Sequence, residues 1–583
     1  MKHSKIPLSQ TVVQLCKAKG IKHIVLSPGS RNAPLTIGFT YDEYFTCYSI
    51  VDERSAAFFA LGIIQKLREP VAVVCTSGSA LLNYYPAVAE AFYSDLPLVV
   101  LSADRPKYLI GIGDGQTIDQ KDVYRNHILY FANLKLDIEK ERNKSDVDEL
   151  PIFKSFESKV EKILGLQRTI QQENEFEVNK ALNIAILNKG PVHLNVPFDE
   201  PLYDMAEITS VSPVNEMPSP KLNSIDNIQE LSKKWSSAKK KMVLVGVNEP
   251  NKIDQNILDL LARDDSVIIF TETTSNIHHS GFFPSIDKII APLTKEDFIK
   301  LQPEILLTFG GMIVSKKIKA FLREFKPKEH WHIDPKKAND TFFCLTEHIK
   351  VSVNDFFKEF EQHISSNSSD YGNYWQGIKE YRCYKHNEYL KQIPFSDFKA
   401  FDMVLNSLPD NSNVQVGNSS AIRYTQLFDL KSTLKIYCNR GTSGIDGSTS
   451  TAIGFAAVTH EQTIFITGEL GFFYDSNALW NNYIPANFRI ILINNGGGGI
   501  FRILPGHKNT KNFDTFFETA HDLTAKQLCD MYHFNYQYVS NDLELKKELS
   551  DFYSESKKPK LLEIFTPRTL NDNVLLDYFK FIK

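Results

Sequence analysis

Short β-branched runs recur along this chain, separated by longer amphipathic stretches, and that alternation restricts the possible folds more than any other feature. The first third contains "HIVLS" before Pro28, "VAVVCT" before Ser77, "PLVVLSA" before Asp104 and "VHLNV" before Pro197. Uninterrupted apolar runs of this length suit strands buried on both faces, as in parallel sheets covered by helices on each side. A Pro/Ser/Asn-rich passage, Ser210–Asn227, interrupts the pattern and reads as a linker. The alternation resumes with "MVLVGV", "SVIIFT" and "EILLTFGG", breaks again at His363–Asn373, and returns as "NVQVG", "LKIYC", "TIFITG", "RIILINN" and "KLLEIFT". The expected fold is α/β, with three consecutive doubly wound, mainly parallel-sheet domains spanning 1–205, 206–365 and 366–583. The charged stretch Asp137–Pro151 reads as a solvated helical insertion.

Bulk properties exclude several classes of partner. The 66 Lys+Arg against 70 Asp+Glu give a formal charge of -4, so no global basic field points to nucleic acid or an anionic membrane, and any anion site must be local. No run approaches the roughly 18 consecutive apolar residues of a membrane span. The seven cysteines show no CxxC spacing and read as buried thiols in a reducing compartment, so a cytoplasmic location is expected.

In open parallel sheets ligands bind beyond the carboxyl ends of the strands, so the residues just after each apolar run are the ones to inspect. Those positions hold "PGSRNAPL", "ERSAAFFALG", "DRP", "NSSAIR", "RGTSGIDGSTS", "GEL" and "NNGGGGIF". Five arginines stand among them, Arg31, Arg54, Arg105, Arg423 and Arg440, several beside small hydroxyl or glycine residues. Forked guanidinium donors and free backbone amides suit carboxylate or phosphate. A nicotinamide site is disfavoured: neither "GIGDGQ" nor "GGGGIF" supplies the third glycine of GxGxxG, and no GxxxxGK[ST] loop occurs.

Glu469 and Asn495 each follow an apolar strand, and the residues between them leave room for one helix and a right-handed return crossover. Their side chains, with a carbonyl of the glycine run, form a set of hard oxygen donors suited to Mg²⁺ or Mn²⁺ bridging a diphosphate. The spacing alone is equally compatible with a polar turn followed by a glycine-rich loop.

The Gly-acid turn closing on "NN" resembles the metal and diphosphate motif of thiamin-diphosphate enzymes. More closely, "SPGSRNAPL", "DERSAAFFALG", "TSGSALLNYYPAVAEA", "LSADRP", "NRGTSGIDGSTSTAIG", "NNGGGGIFRILP" and "FETAHDLTAKQL" together resemble the 2-succinyl-5-enolpyruvyl-6-hydroxy-3-cyclohexene-1-carboxylate synthase family of menaquinone biosynthesis. The matches run from Ser27 to Leu528 and are weakest in the middle domain. This resemblance implies thiamin diphosphate as cofactor, 2-oxoglutarate and isochorismate as substrates, and a homodimer or homotetramer with sites between subunits. It assigns Glu53 to the aminopyrimidine N1′ of the cofactor as the catalytic acid, where the alternative is a helix N-terminal acid facing solvent. It places Glu469, Asn495 and the Gly497 carbonyl on the metal. Ser419, Gly441, Thr442, Ser443, Gly444, Ile445, Gly468, Leu470 and Ile500 fall beside the cofactor. Arg423 and Arg440 fall beside the 2-oxoglutarate carboxylate, Ser30, Arg31, Arg105, Gln116 and Lys317 on the isochorismate side, and Phe501 beside the reacting centre. Lys316 competes with Lys317, and Ile445, Ile500 and Phe501 have a plain alternative as core residues.

The implied chemistry is decarboxylation of 2-oxoglutarate on the cofactor and conjugate addition of the succinyl carbanion equivalent to isochorismate. Two positions depart from the family: Glu469 stands where aspartate is usual, and Gly115 where asparagine is frequent. A related 2-oxo acid decarboxylase or acetolactate-type synthase, and a cofactor-binding paralogue with reduced turnover, are the competing functions.

Overall fold

The computed structural model of the chain describes residues 2–137, 156–218, 225, 227–365, 367–503, 508 and 510–583. The expected helical insertion from 138 onward lies outside the described residues, as do 219–224 and 226 of the linker.

Three parallel sheets are present, one in each of the three series of apolar runs. The first orders its strands Thr46–Ser49, His23–Leu26, Val71–Cys75, Leu98–Asp104, Val192–Pro197 and Tyr130–Asn133, every neighbouring pair parallel. All residues of Val71–Cys75, Leu98–Asp104 and Val192–Pro197 are buried, as uninterrupted apolar runs require. The second orders Val267–Thr271, Lys241–Val245, Ile305–Phe309, Glu329–Ile333 and Glu347–Ile349. Its two-residue side-chain period is visible in the core. Val243, Val245, Ile269, Leu307 and Trp331 join one apolar cluster, while Met242, Leu244, Ile268, Phe270 and Leu306 join another on the opposite face. The third orders Lys435–Tyr437, Asn413–Val416, Thr463–Gly468, Arg489–Asn494, Lys560–Phe565 and Asn535–Val539.

By internal contacts the chain forms two compact units. One comprises Met1–Pro220 with Asp446–His460 and Asp475–Pro485; the other comprises Lys221–Ile445, Glu461–Tyr474 and Ala486–Lys583. The second and third sheets therefore share a unit.

Within the first unit, helix Glu53–Leu67 crosses helix Ser448–Ala456 at backbone distance. A Cβ on Gly62 would lie 2.0 Å from the Thr451 carbonyl oxygen, and one on Gly454 would lie 2.0 Å from that of Phe59. The described part of the linker is held down rather than loose. Ser210 N–H donates to Gln10 Oε1 at 2.7 Å, Gln14 Nε2 donates to the Val211 carbonyl at 3.1 Å, and Asn179 Nδ2 donates to the Val214 carbonyl at 2.9 Å. Within the second unit, the Asn276 side chain pairs with an edge strand: its Nδ2 donates to the Ile436 carbonyl at 2.9 Å, and its Oδ1 accepts the Ile436 N–H at 2.7 Å. Buried Lys288 adds an ion pair to Asp429 at 3.0 Å.

Candidate active site

Both the first and third sheets have a switch point, where successive crossovers leave a strand pair in opposite directions and open a crevice at the carboxyl ends. In the third sheet that pair is Asn413–Val416 and Thr463–Gly468, flanked by Lys435–Tyr437 and Arg489–Asn494. The four loops following these strands carry Ser419, Gly441 to Ile445, Gly468 to Leu470, and Asn495 to Phe501. All the cofactor and metal positions expected in the third domain thus stand at adjacent strand ends of one sheet.

Register brings the proposed metal ligands together. Gly468 pairs with Ile493, so Glu469 emerges level with Asn494 and one residue before Asn495. Strand alternation separates the two asparagines of "NN". Asn494 turns into the fold, donating to the Leu523 carbonyl at 2.9 Å and to Glu563 Oε1 at 2.7 Å. Asn495 Nδ2 donates to Asp397 Oδ2 at 2.9 Å, while its Oδ1 is buried with no hydrogen-bond partner. A buried carbonyl oxygen without a donor carries a desolvation cost that a bound cation would remove. Glu469, 2% exposed, accepts the Gly497 N–H on Oε1 at 2.7 Å. The longer glutamate is accommodated by tying one carboxylate oxygen to the glycine loop itself. His521 lies 3.7 Å from that same oxygen through Nε2, and the Leu523 N–H donates to its Nδ1, which puts the ring proton on Nε2. The Gly497 carbonyl accepts the Gly499 N–H at 2.9 Å and keeps a second lone pair. One carboxylate, one unpartnered amide oxygen and one carbonyl at a single crevice fit a hard divalent ion.

The glycine run is dictated by backbone. Gly497 has φ +155°, and a Cβ there would meet the Glu518 carbonyl oxygen at 2.9 Å. Buried Glu518 accepts from Arg502 and Arg568, fixing the segment that covers the loop.

Sequence reasoning did not single out Asn418, which organises the cofactor-side loops. Its Nδ2 donates to the Asn439 and Gly444 carbonyls, both at 2.7 Å, and its Oδ1 accepts from Arg440 Nη1 at 2.7 Å. Asn418 thereby joins two strand-end loops and aims Arg440. Ile445 is 37% exposed and Phe501 38%, and Ile500 is half-buried.

Arg423 and Arg440 lie close enough that each opposes the other's charge. Burial first, then Arg440, lowers the Arg423 guanidinium below its ordinary range, with Asp287 opposing. The Nε atoms of both arginines are buried without partners. Two half-buried guanidiniums, each with a buried Nε donor left unused, suit a carboxylate. Lys317 is exposed in the same unit, its Nζ 5.2 Å from the Phe579 ring centroid, on the helix Lys316–Glu324.

In the first unit, Arg31 and Arg105 follow strands His23–Leu26 and Leu98–Asp104, which flank Val71–Cys75 in the first sheet. Arg31, nearly buried, donates from Nη1 to the Phe198 carbonyl at 3.1 Å and lies 3.5 Å from Glu200; burial and then the Arg105 charge lower its guanidinium. Arg105 grips the Gly115 carbonyl through Nε at 3.0 Å and Nη2 at 2.6 Å. The space around Gly115 is open, so an asparagine would fit there and the departure removes a side chain without removing this contact. Gln116 has φ +55°, and its carbonyl accepts from Ser77 Oγ at 3.0 Å; Ser30 is exposed. Arg54 lies near Asp475, whose carboxylate it favours. Glu53 opens its helix behind the cap Asp52, which accepts the Ser55 N–H at 3.2 Å. Glu53 is half-buried, and its charge adds to burial in raising the Cys75 thiol and the Tyr84 hydroxyl.

Among the described residues no helix is long and apolar enough to cross a membrane. A family model described as thiamine pyrophosphate enzyme, N-terminal TPP binding domain, matches residues 6–123. The chain is 57% identical, over the full length of both, to a 2-succinyl-5-enolpyruvyl-6-hydroxy-3-cyclohexene-1-carboxylate synthase of Christiangramia forsetii. It is 54% identical, again over both full lengths, to the synthase of that name from Flavobacterium psychrophilum. The Porphyromonas gingivalis synthase is 36% identical, over 98% of this chain and 96% of its own length.

Proposed function

The chain belongs to the 2-succinyl-5-enolpyruvyl-6-hydroxy-3-cyclohexene-1-carboxylate synthase family, and from that premise we propose how its residues divide the work of a thiamin-diphosphate-dependent carboligase of menaquinone biosynthesis. The observation that carries this reading is the 57% identity along the whole of both chains. The reaction joins a succinyl group, derived from 2-oxoglutarate with loss of CO₂, to isochorismate. Thiamin diphosphate, when bound, supplies the electron sink that this decarboxylation requires.

Glu469, Asn495 and the Gly497 carbonyl hold Mg²⁺ or Mn²⁺, supported by the unpartnered Asn495 Oδ1 and the adjacency of the two strand ends. Ser419, Gly441 to Gly444, Gly468, Leu470 and Ile500 line the cofactor, and the exposed Ile445 side chain props it. Glu53 holds a proton at the aminopyrimidine N1′, as its half-buried position near Cys75 and Tyr84 supports. Arg423 and Arg440 orient the 2-oxoglutarate carboxylate with donors already stripped of water, which lowers the orientational cost of binding. Ser30, Arg31, Arg105, Gln116 and Lys317 receive isochorismate, and Phe501 keeps water from the reacting carbon. The chain is organised as domains 1–205, 206–365 and 366–583, works in the cytoplasm, and assembles as a homodimer or homotetramer with sites between subunits; sedimentation of the purified protein tests the assembly.

The deciding assay measures CO₂ release from 2-oxoglutarate with Mg²⁺ and thiamin diphosphate, with and without isochorismate. Release coupled to formation of the succinyl adduct is expected. Release from pyruvate instead indicates a different 2-oxo acid enzyme, and release from no 2-oxo acid overturns the catalytic reading.

A further inference from the structure

We propose that Asp397 is a positioning residue that aims the Asn495 amide at the divalent ion, an inference that rests on reading Asn495 as a metal ligand. Asp397 stands 98 residues before Asn495, at the start of helix Asp397–Ser407, and is only 3% exposed. It does not cap that helix: Ser396 does, its side chain accepting the Lys399 N–H. The Asp397 carboxylate instead bridges two other elements. Oδ2 accepts from Asn495 Nδ2 at 2.9 Å, and Oδ1 accepts from Thr566 Oγ1 at 2.5 Å. Its own backbone N–H donates to Asn571 Oδ1 at 2.8 Å, which fixes the helix start against the segment after the strand Lys560–Phe565.

A carboxamide has one donor end and one acceptor end, and rotation by half a turn exchanges them. An ion can use only the oxygen end. Asp397 Oδ2 serves as the acceptor here, and an acceptor admits only the Nδ2 end of Asn495. The oxygen is thereby turned the other way, where it is buried and without a partner. With Asp397 holding the nitrogen, the orphaned oxygen becomes a preset ligand rather than a rotamer that the ion must select. The Asp397 carboxylate is engaged through both oxygens, by Asn495 and by Thr566, as a positioning role requires.

The test is Mg²⁺-dependent thiamin diphosphate binding by titration calorimetry on the full chain, with the melting temperature of the ion-free protein measured in parallel. Asn495→Ala establishes the premise: unchanged Mg²⁺ affinity in that variant overturns the ligand reading and the inference with it. Given a weakened Asn495→Ala, Asp397→Ala is expected to lower Mg²⁺ affinity by about 10- to 100-fold, in the range of residues that orient ligands. Wild-type affinity in Asp397→Ala overturns the inference alone. If Asp397→Ala does not fold, the reciprocal exchange decides. Asn495→Asp by itself sets two carboxylates face to face and weakens binding. Adding Asp397→Asn restores a donor opposite the new acceptor and is expected to recover affinity. A double variant no tighter than Asn495→Asp also overturns the proposal.

Discussion

Gly62 and Gly454 stand where two helices cross with no space for a side chain between their backbones: a Cβ on either would reach the opposing carbonyl oxygen at 2.0 Å. Such a contact cannot relax by a rotamer change, since the obstructing atom is main chain. Gly62→Ala should therefore push the helices apart and destabilise by about 1–3 kcal/mol or more, the usual cost of overpacking. Thermal denaturation checks it. Because Glu53 opens the same helix, turnover should fall further than the melting temperature alone accounts for.

Asp475 supplies a pH-dependent prediction. Burial raises its carboxyl from 3.8 to about 7, against the opposing hydrogen bonds from the Ser450 N–H and Oγ and the charge of Arg54. A folded-state pKa above the unfolded value means that the native state binds the proton more tightly. The stability contribution of this group is thus full below about pH 4 and is lost as pH rises toward 7. Asp475→Asn keeps an acceptor for the Ser450 N–H and can donate to Ser450 Oγ, without a charge to desolvate. Denaturant unfolding at pH 5 and pH 8 should show the variant gaining on the wild type at the higher pH.

For Glu469, removing charge while keeping shape isolates its role toward the ion. Glu469→Gln retains an acceptor for the Gly497 N–H, so the ion-free protein should melt near the wild-type temperature. Mg²⁺ affinity should drop by at least about tenfold, equivalent to about 1.4 kcal/mol. Equal Mg²⁺ titrations for the two proteins would remove Glu469 from the metal site.

Asn418→Ala releases four contacts at once, on the Asn439 and Gly444 carbonyls, on Arg440 and on the Cys438 thiol. The expected kinetic signature is a raised KM for 2-oxoglutarate, because Arg440 loses its aim, together with weaker thiamin diphosphate binding. Steady-state kinetics at saturating and limiting cofactor separate the two.

Much of the fold is legible in the sequence because buried parallel strands announce themselves. Val71–Cys75, Leu98–Asp104, Thr463–Gly468 and Arg489–Asn494 are buried along most or all of their length, and their residues form uninterrupted apolar runs. The strands not anticipated carry mixed residues. Asn535–Val539 and Tyr130–Asn133 close the edges of their sheets and are partly exposed, so no apolar run marks them, and Glu329–Ile333 interleaves two histidines with its core residues. The candidate site divides in the same way. Loop residues that follow strands, such as Glu469 and Asn495, are visible from spacing. Asn418, Asp397 and His521 act through hydrogen bonds or proximity between distant segments, and nothing local in the chain predicts those partners. The opposite directions of Asn494 and Asn495, both buried, follow from strand alternation once the strand end is known.

The pairing of Asn276 with Ile436 also closes part of a sheet edge. Strand Lys435–Tyr437 is the outermost rung of the third sheet, and an open rung is a template on which another chain can add a strand. One side-chain amide, with its donor and its acceptor both engaged by the main chain of Ile436, imitates the neighbour that the rung lacks. Asn276 thereby occupies the one open residue of this rung, and Asn276→Ala is expected to aggregate faster on storage, as light scattering would record.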